Sequence, residues 1–446
     1  MKIAGQEENP YASPLGLEEP EEVEVIPDTN NAPRPAELRN FILLTAYQVV
    51  LRTGWIFKTE SVIMPAVLDQ LSGAAWMRGW LPLLNRFGQS IPPVLSAGAI
   101  DAQPKKKWAF AASTALMAGV FAALTSIWYV PGGAKAAWTP YLYLGLYSLF
   151  FAAIGVNNLV LNTIQGKLIR TTRRGRLLLV SNIFGSITAI ASALLLLPLW
   201  LTPASADFAS IFGFSTLLFA ASSAMAWLLV EEPDHRPHFR HRPWREAFGS
   251  AWAVFRKDAN FRRLSLVTAI FGASMVLFPH YQAIGHEQLG LDWTNLMWWV
   301  VIQNVGTALF SVPAGPIADR HGNRIVIQLL MLGVGGAPLL ALVLANLGEV
   351  GAAWYHWVFA LVGLTPVGIK TLNNYVLEIS EPEEHARYLS AQSLCLASPI
   401  VLAPLTGLVM DLVGFELVYL AVAMLMLVGF CLSFSLVEPR HQSRTR

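Results

Sequence analysis

The sequence predicts an all-α integral membrane protein with twelve transmembrane helices in two six-helix halves. Three observations lead there. Of 446 residues, 54% are hydrophobic and only 13% are charged, where a soluble domain carries about 25% charged residues. Apolar stretches of about 20 residues, long enough to cross a ~30 Å hydrocarbon core, recur from residue 41 to the end of the chain. Short signatures in the first half of the chain return in the second.

This composition excludes an ordinary soluble enzyme and a disordered chain. The 31 Lys and Arg nearly balance the 29 Asp and Glu, so a net charge of +2 gives no nucleic-acid footprint. Cys395 and Cys431 both lie in apolar runs and cannot build a disulfide framework or a zinc site. No cofactor or metal is expected. The chain has no G-x4-G-K-[ST] motif to bind ATP and no nucleophile-base set in its loops, so neither a primary pump nor an enzyme is expected.

Residues 1–38 are polar and acidic (Glu18, Glu19, Glu21, Glu22, Glu24) and have no apolar signal-peptide core. They read as a disordered cytoplasmic tail. The spans then fall near 41–67, 79–100, 108–130, 140–164, 177–201, 207–230, 263–286, 293–318, 325–346, 353–377, 389–410 and 415–437. In lipid only helices or closed barrels satisfy their backbone groups, and these runs are too long for barrel strands of about 10 residues. A basic linker, 232–262, joins a half at 39–231 to a half at 263–438, and 439–446 forms a second tail.

Orientation follows from Lys and Arg. With the N-terminus inside, twenty-five of the 31 cations fall in cytoplasmic segments and two, Arg78 and Lys135, fall outside. Both termini are therefore expected in the cytoplasm, in a multi-pass protein of the cell (inner) membrane. The duplication shows in three places. Asn157-Asn158-Leu159-Val160-Leu161 in span 4 returns as Asn373-Asn374-Tyr375-Val376-Leu377 in span 10. Leu229-Val230-Glu231 after span 6 returns as Leu436-Val437-Glu438 after span 12. Gly98 and Asp101 after span 2 return as Gly315 and Asp319 after span 8. Parallel six-helix repeats describe a transporter architecture with the substrate near the midplane.

The segment Gly315-Pro316-Ile317-Ala318-Asp319-Arg320-His321-Gly322-Asn323-Arg324 resembles the G-x3-D-[RK]-x-G-x-[RK] loop of the major facilitator superfamily. It stands between spans 8 and 9, where that family has its second copy. The first copy, around Gly98, Asp101 and Lys105 to Lys107, lacks the central glycine. The resemblance covers about 39–439 and implies a secondary transporter. It also implies that the loop (Gly315, Asp319, Arg320, Gly322, Arg324, with Asp101 in the first copy) braces helices on the cytoplasmic side and biases the outward-open state. Span 5 contains a single glycine, Gly185, unlike the glycine- and proline-rich span 5 of drug-exporting antiporters in that superfamily.

Arg52, Lys58, Arg86 and Lys370 fall inside predicted spans. A charge at the bilayer centre costs at least ~2.5–3.5 kcal/mol, so each needs a partner or a wet cavity. The resemblance implies that spans 1, 4, 7 and 10 line the cavity, and the polar residues follow that pattern. Substrate-binding candidates are Arg52, Trp55 and Thr59 on one stripe of span 1, Asn157 and Asn158 in span 4, His280, Tyr281 and Gln282 in span 7, and Lys370, Asn373 and Asn374 in span 10. At 100° per residue, Lys58 and Glu60 point ~160° apart on a continuous helix, so they cannot share the cavity. Equal depth instead pairs Glu60 with Arg86, as a structural brace or as a proton-coupling carboxylate. The asparagines are equally readable as interhelical hydrogen-bond partners, and His280 as a proton relay. His235, His238 and His241 recur at three-residue spacing in an Arg- and Pro-rich loop, which argues against a metal site.

The expected function is a monomeric secondary transporter working by alternating access, possible coupling ion the proton, with a small-molecule substrate. Four intramembrane cations against one deep acid favour an organic anion. A sugar or other neutral solute, drug efflux, or a non-transporting sensor on the same fold are the alternatives.

Overall fold

The computed structural model describes residues 36–234, 252–381 and 384–438. Among them the structure is helical throughout, and the one strand-like pairing is an isolated bridge between Leu201 and Ala206. The first half runs α1 (Glu37–Ile56), α2 (Ile63–Leu71), α3 (Ala75–Asp101), α4 (Lys107–Tyr129), α5 (Thr139–Leu168), α6 (Thr171–Trp200) and α7 (Phe208–Trp227). The second runs α8 (Ala259–Ser274), α9 (Phe278–Glu287), α10 (Asn295–His321), α11 (Asn323–Ala345), α12 (Gly348–Trp354), α13 (His356–Val362), α14 (Leu364–Ile379), α15 (His385–Ala397), α16 (Ala403–Val413) and α17 (Phe415–Ser433).

Among the described residues, nine helices are long and apolar enough to cross a membrane, and α12 with the helices after it forms a tenth, bent by 43°. The other two passes are α1 with α2, which is interrupted, and α3, which carries Arg78, Asn85, Arg86 and Gln89. Twelve passes bring residues 36, 234, 252 and 438 to one face, called here the terminal face. The opposite face is the distal one. Most of the tail, much of the linker including His235, His238 and His241, and residues 439–446 lie outside the described residues.

Two expectations from continuous spans need correcting. The first span is broken at 57–62, and the tenth is bent at Tyr355. Unwound backbone survives at membrane depth only where protein buries it or water reaches it. Residues 57–62 meet that condition, since all are buried or half-buried. Thr59 closes the break by donating from its hydroxyl to Ile56 O at 2.7 Å, and its own carbonyl accepts the N–H of Val62 and of Met64.

The duplicated Leu-Val-Glu signatures have a shared structural role at the terminal face. Glu231 accepts the backbone N–H of Lys106 at 3.0 Å and of Lys107 at 2.7 Å, at the start of α4. Glu438 accepts the N–H of Arg324 at 3.1 Å, at the start of α11. Each acid thus satisfies orphan donors at a helix N-terminus and complements its dipole. The preceding valines are also held alike. Asn40 exchanges two hydrogen bonds with Val230, at 2.8 and 2.9 Å, and Asn260 accepts the N–H of Val437 at 3.1 Å.

The loop motif is strict in the second copy for a geometric reason. A single residue, Gly322, separates α10 from α11; its φ is +90°, and a Cβ there would fall 2.1 Å from Glu438 Cδ. Only glycine fits both the dihedral and the space. In the first copy residues 102–106 make the connection, and no glycine is needed. Asp234, beyond α7, meets Lys106 and also Lys167 at 2.8 Å. Partial burial acts to raise its carboxyl, but the two ammonium groups outweigh that and hold it below the ordinary carboxylate range. The stabilisation it supplies is therefore present at neutral pH and lost as pH falls through that lowered value.

Glu231 also accepts Lys167 Nζ at 2.8 Å, and its side chain is fully enclosed. Glu231→Ala is expected to cost at least about 1–2 kcal/mol and to lower the thermal midpoint in detergent more than Glu438→Ala does. Equal midpoints for the two variants would contradict this ordering.

Candidate functional site

The break in the first span reorients its polar residues. Lys58 is fully buried and Glu60 stands 2.8 Å from its Nζ. The expected Glu60–Arg86 pair is replaced by this one, because residues off the helix no longer follow the 100° rule that set Lys58 and Glu60 apart. The ammonium also lies 3.2 Å from the ring centroid of Trp55 and 4.7 Å from that of Phe151, close enough for cation–π attraction. Trp55 is therefore occupied by Lys58 and is not an open platform. On the other carboxylate oxygen, Glu60 accepts from Asn85, and Asn85 in turn accepts from Gln89.

Glu60, Asn85, Arg86, Gln89 and Tyr147 line one side of a cavity of about 220 Å³, and Met275, Phe278, Pro279 and Ile369 line the other. The cavity thus lies between the two halves. Arg86 points to Met275, 3.9 Å from its sulfur.

Other candidates separate into two groups. Arg52, Asn158, Lys370 and Asn374 are exposed within their spans. Arg52 donates to Asn182 Oδ1 at 2.9 Å and packs along Gly185 of α6. Asn373 is half-buried. The second group is built into the protein. Asn157 accepts from Tyr47 at 2.9 Å and donates to Ser113 and Thr114 at 3.0 and 2.8 Å, tying α1, α4 and α5 together. Tyr281 is buried against Tyr419, with ring centroids 5.3 Å apart. His280 is 2% exposed, and neither ring nitrogen has a hydrogen-bond partner among the described residues.

Gln282 belongs to a contact that the sequence reading missed. At the distal face Arg78 of α3 bonds Asp69 of α2 at 2.6 Å and Glu287 of α9 at 2.9 Å, while Gln282 of α9 donates to Asp69. Close by, both oxygens of Asp411 on α16 accept N–H groups of Ala75 and Trp76, at 2.9 and 2.8 Å, at the start of α3. The helices there approach backbone to backbone: a Cβ on Gly79 would stand 2.4 Å from Ala403 O, and one on Gly407 2.4 Å from Ala75 O. These contacts join the two halves and close the distal side. The available signal was Arg78 itself, one of two cations on the sparsely charged side.

Around the loop motif the terminal side is different. The Cβ position of Gly315 meets no atom within 4 Å. Arg324 donates to Leu436 O at 3.2 Å, Arg320 is exposed, and Asp319 lies near the end of α10. Asp101 ends α3, and its side chain lies outside the described residues.

A helical membrane protein of two halves, sealed on one face around a polar chamber, is the class that this geometry defines. The profile of the Major Facilitator Superfamily matches residues 281–446. A mutant of the nucleoside transporter NupG superposes with TM-score 0.68 at 13% identity, covering 91% of this chain and 100% of that one. A bacterial homologue of the human lysosomal transporter Spinster, solved inward-facing and unoccupied, gives 0.61 at 12% identity, over 91% and 98%. The E. coli fucose:proton symporter FucP gives 0.52 at 14% identity, over 91% and 100%. No curated protein matches in sequence. The second half thus matches the family's profile, and the fold as a whole is similar to that of these solved transporters.

Lys58→Met would leave Glu60 without its cation. Breaking such a pair from one side costs about 3 kcal/mol or more, and the expected result is a lower unfolding midpoint, largely restored in Lys58→Met/Glu60→Gln. A double variant no more stable than the single one would show that the pair is not the cause.

Proposed function

We propose that the chain is a secondary transporter that carries a small organic anion by alternating access, driven by a proton gradient. One observation carries the anion reading. Glu60 is already neutralised by Lys58, while Arg52, Arg86 and Lys370 have no carboxylate partner among the described residues. Exposed polar groups at mid-span cannot face hydrocarbon without a large cost. Arg52, Asn158, Lys370 and Asn374 therefore face water, in a vestibule leading to the cavity. That vestibule carries net positive charge, which suits an anionic solute and repels a cationic one.

Under the positive-inside rule the terminal face is cytoplasmic. The sealed distal side then corresponds to an inward-facing state, and the likeness to an inward-facing Spinster homologue supports this. FucP, described as a proton symporter, supports the choice of coupling ion. The protein would work as a monomer in the cell (inner) membrane.

Reconstituted liposomes supply the test. Uptake would be measured for carboxylates and phosphorylated solutes and for uncharged sugars and nucleosides. Saturable uptake of an anion is expected. Arg52→Gln and Lys370→Gln should each raise its KM about tenfold, the size of one lost charge-assisted hydrogen bond. Wild-type KM values in both variants would rule out the anionic site.

A further inference from the structure

The distal contact has an unbalanced charge. Arg78 serves two carboxylates, Asp69 at 2.6 Å and Glu287 at 2.9 Å. Arg78 has a side chain only 6% exposed and Asp69 one 17% exposed, whereas that of Glu287 is 52% exposed. Among the described residues no second Lys or Arg pairs with the cluster: α9 brings Gln282, His280 and His286, the last near enough to Glu287 to interact electrostatically, as Tyr143 of α5 is to Asp69 and Tyr419 of α17 to Arg78 and Glu287. Two acids on one arginine, Asp69 enclosed and Glu287 open to water, leave one negative charge uncompensated. Like charges so placed favour uptake of one shared proton.

The cluster also joins the halves through two arms. Arg78 reaches Glu287 across the interface, and Gln282 reaches Asp69 from the other side. A proton on Glu287 removes the charge that holds the first arm. A proton on Asp69 weakens the second, because a neutral carboxyl accepts from the amide less strongly than a carboxylate. Protonation at either acid therefore loosens the distal closure.

We propose that the Asp69–Arg78–Glu287 cluster is the proton-binding site that couples the ion gradient to opening of the distal side, in place of Glu60. The inference rests on the proton-driven reading above. A proton enters from the distal water at half-exposed Glu287, is shared with Asp69, and opens the closure.

The closure can be read without a known substrate. Spin labels at Lys135→Cys and Gln288→Cys, exposed sites on distal loops of the two halves, are placed in a Cys395→Ser/Cys431→Ser background in nanodiscs. Pulsed EPR distances are recorded from pH 5 to 8.5. The long-distance population should grow as pH falls. Glu287→Gln removes the like charge, so the pH midpoint should drop by about one unit or more, a displacement that loss of a merely structural contact would not produce. Asp69→Asn/Glu287→Gln should stay open and ignore pH. An unchanged midpoint in Glu287→Gln, a persistent pH response in the double variant, or no pH response in the parent overturns the proposal. Uptake in liposomes is scored separately. A pH-switched closure with no proton-driven uptake would defeat the transport reading and leave the site standing. Proton-driven uptake with an unmoved Glu287→Gln midpoint would do the reverse.

Discussion

A peptide backbone in hydrocarbon has to hydrogen-bond within itself, and this chain departs from that in its first span. Between Ile56 and Ile63 the helix stops. Much else depends on the gap. Off the helix, Lys58 turns inward onto Trp55 and Phe151 and meets Glu60 two residues on. Glu60 then reaches Asn85 and so orders the polar face of α3 toward the cavity. Beyond the gap, α2 carries Asp69 to Arg78 and Gln282 at the distal seal. One irregular stretch thus connects the chamber to its closure.

The charges are arranged in two ways. Inside, Lys58 and Glu60 cancel, and Arg86 lines the cavity with no carboxylate within salt-bridge distance among the described residues. At the distal face, two acids share one arginine. Charge is thus paired in the chamber and unbalanced at the seal. Residues that look alike in sequence therefore do different work: Arg78 and Arg86 lie eight positions apart on α3, yet one holds the halves together and the other lines the space between them.

Span number and the family loop were legible because both are local properties. Hydropathy is read over about 20 residues, and Gly322 is dictated by a turn that its neighbours define. The site was legible only in part. The rule of 100° per residue separated Lys58 from Glu60, and it fails wherever the helix does; no periodicity marks residues 57–62 as unwound. Asn157 looked like its exposed neighbour Asn158, and only packing tells that one is tied to Tyr47, Ser113 and Thr114. The distal seal joins Arg78 to Glu287, Gln282 to Asp69 and Ala75 to Asp411, partners more than two hundred positions apart, which no short-range pattern encodes.

The turn at Gly322 has a mechanical consequence. With one residue between them, and that residue wedged against Glu438, α10 and α11 have no slack at the terminal face. The five residues between α3 and α4 are fastened from outside instead, by Glu231 on the N–H groups of Lys106 and Lys107 and by Asp234 on the Lys106 ammonium. The duplicated halves thus secure equivalent corners by different means, one by the shortness of its turn and the other by the side chains clamped onto it.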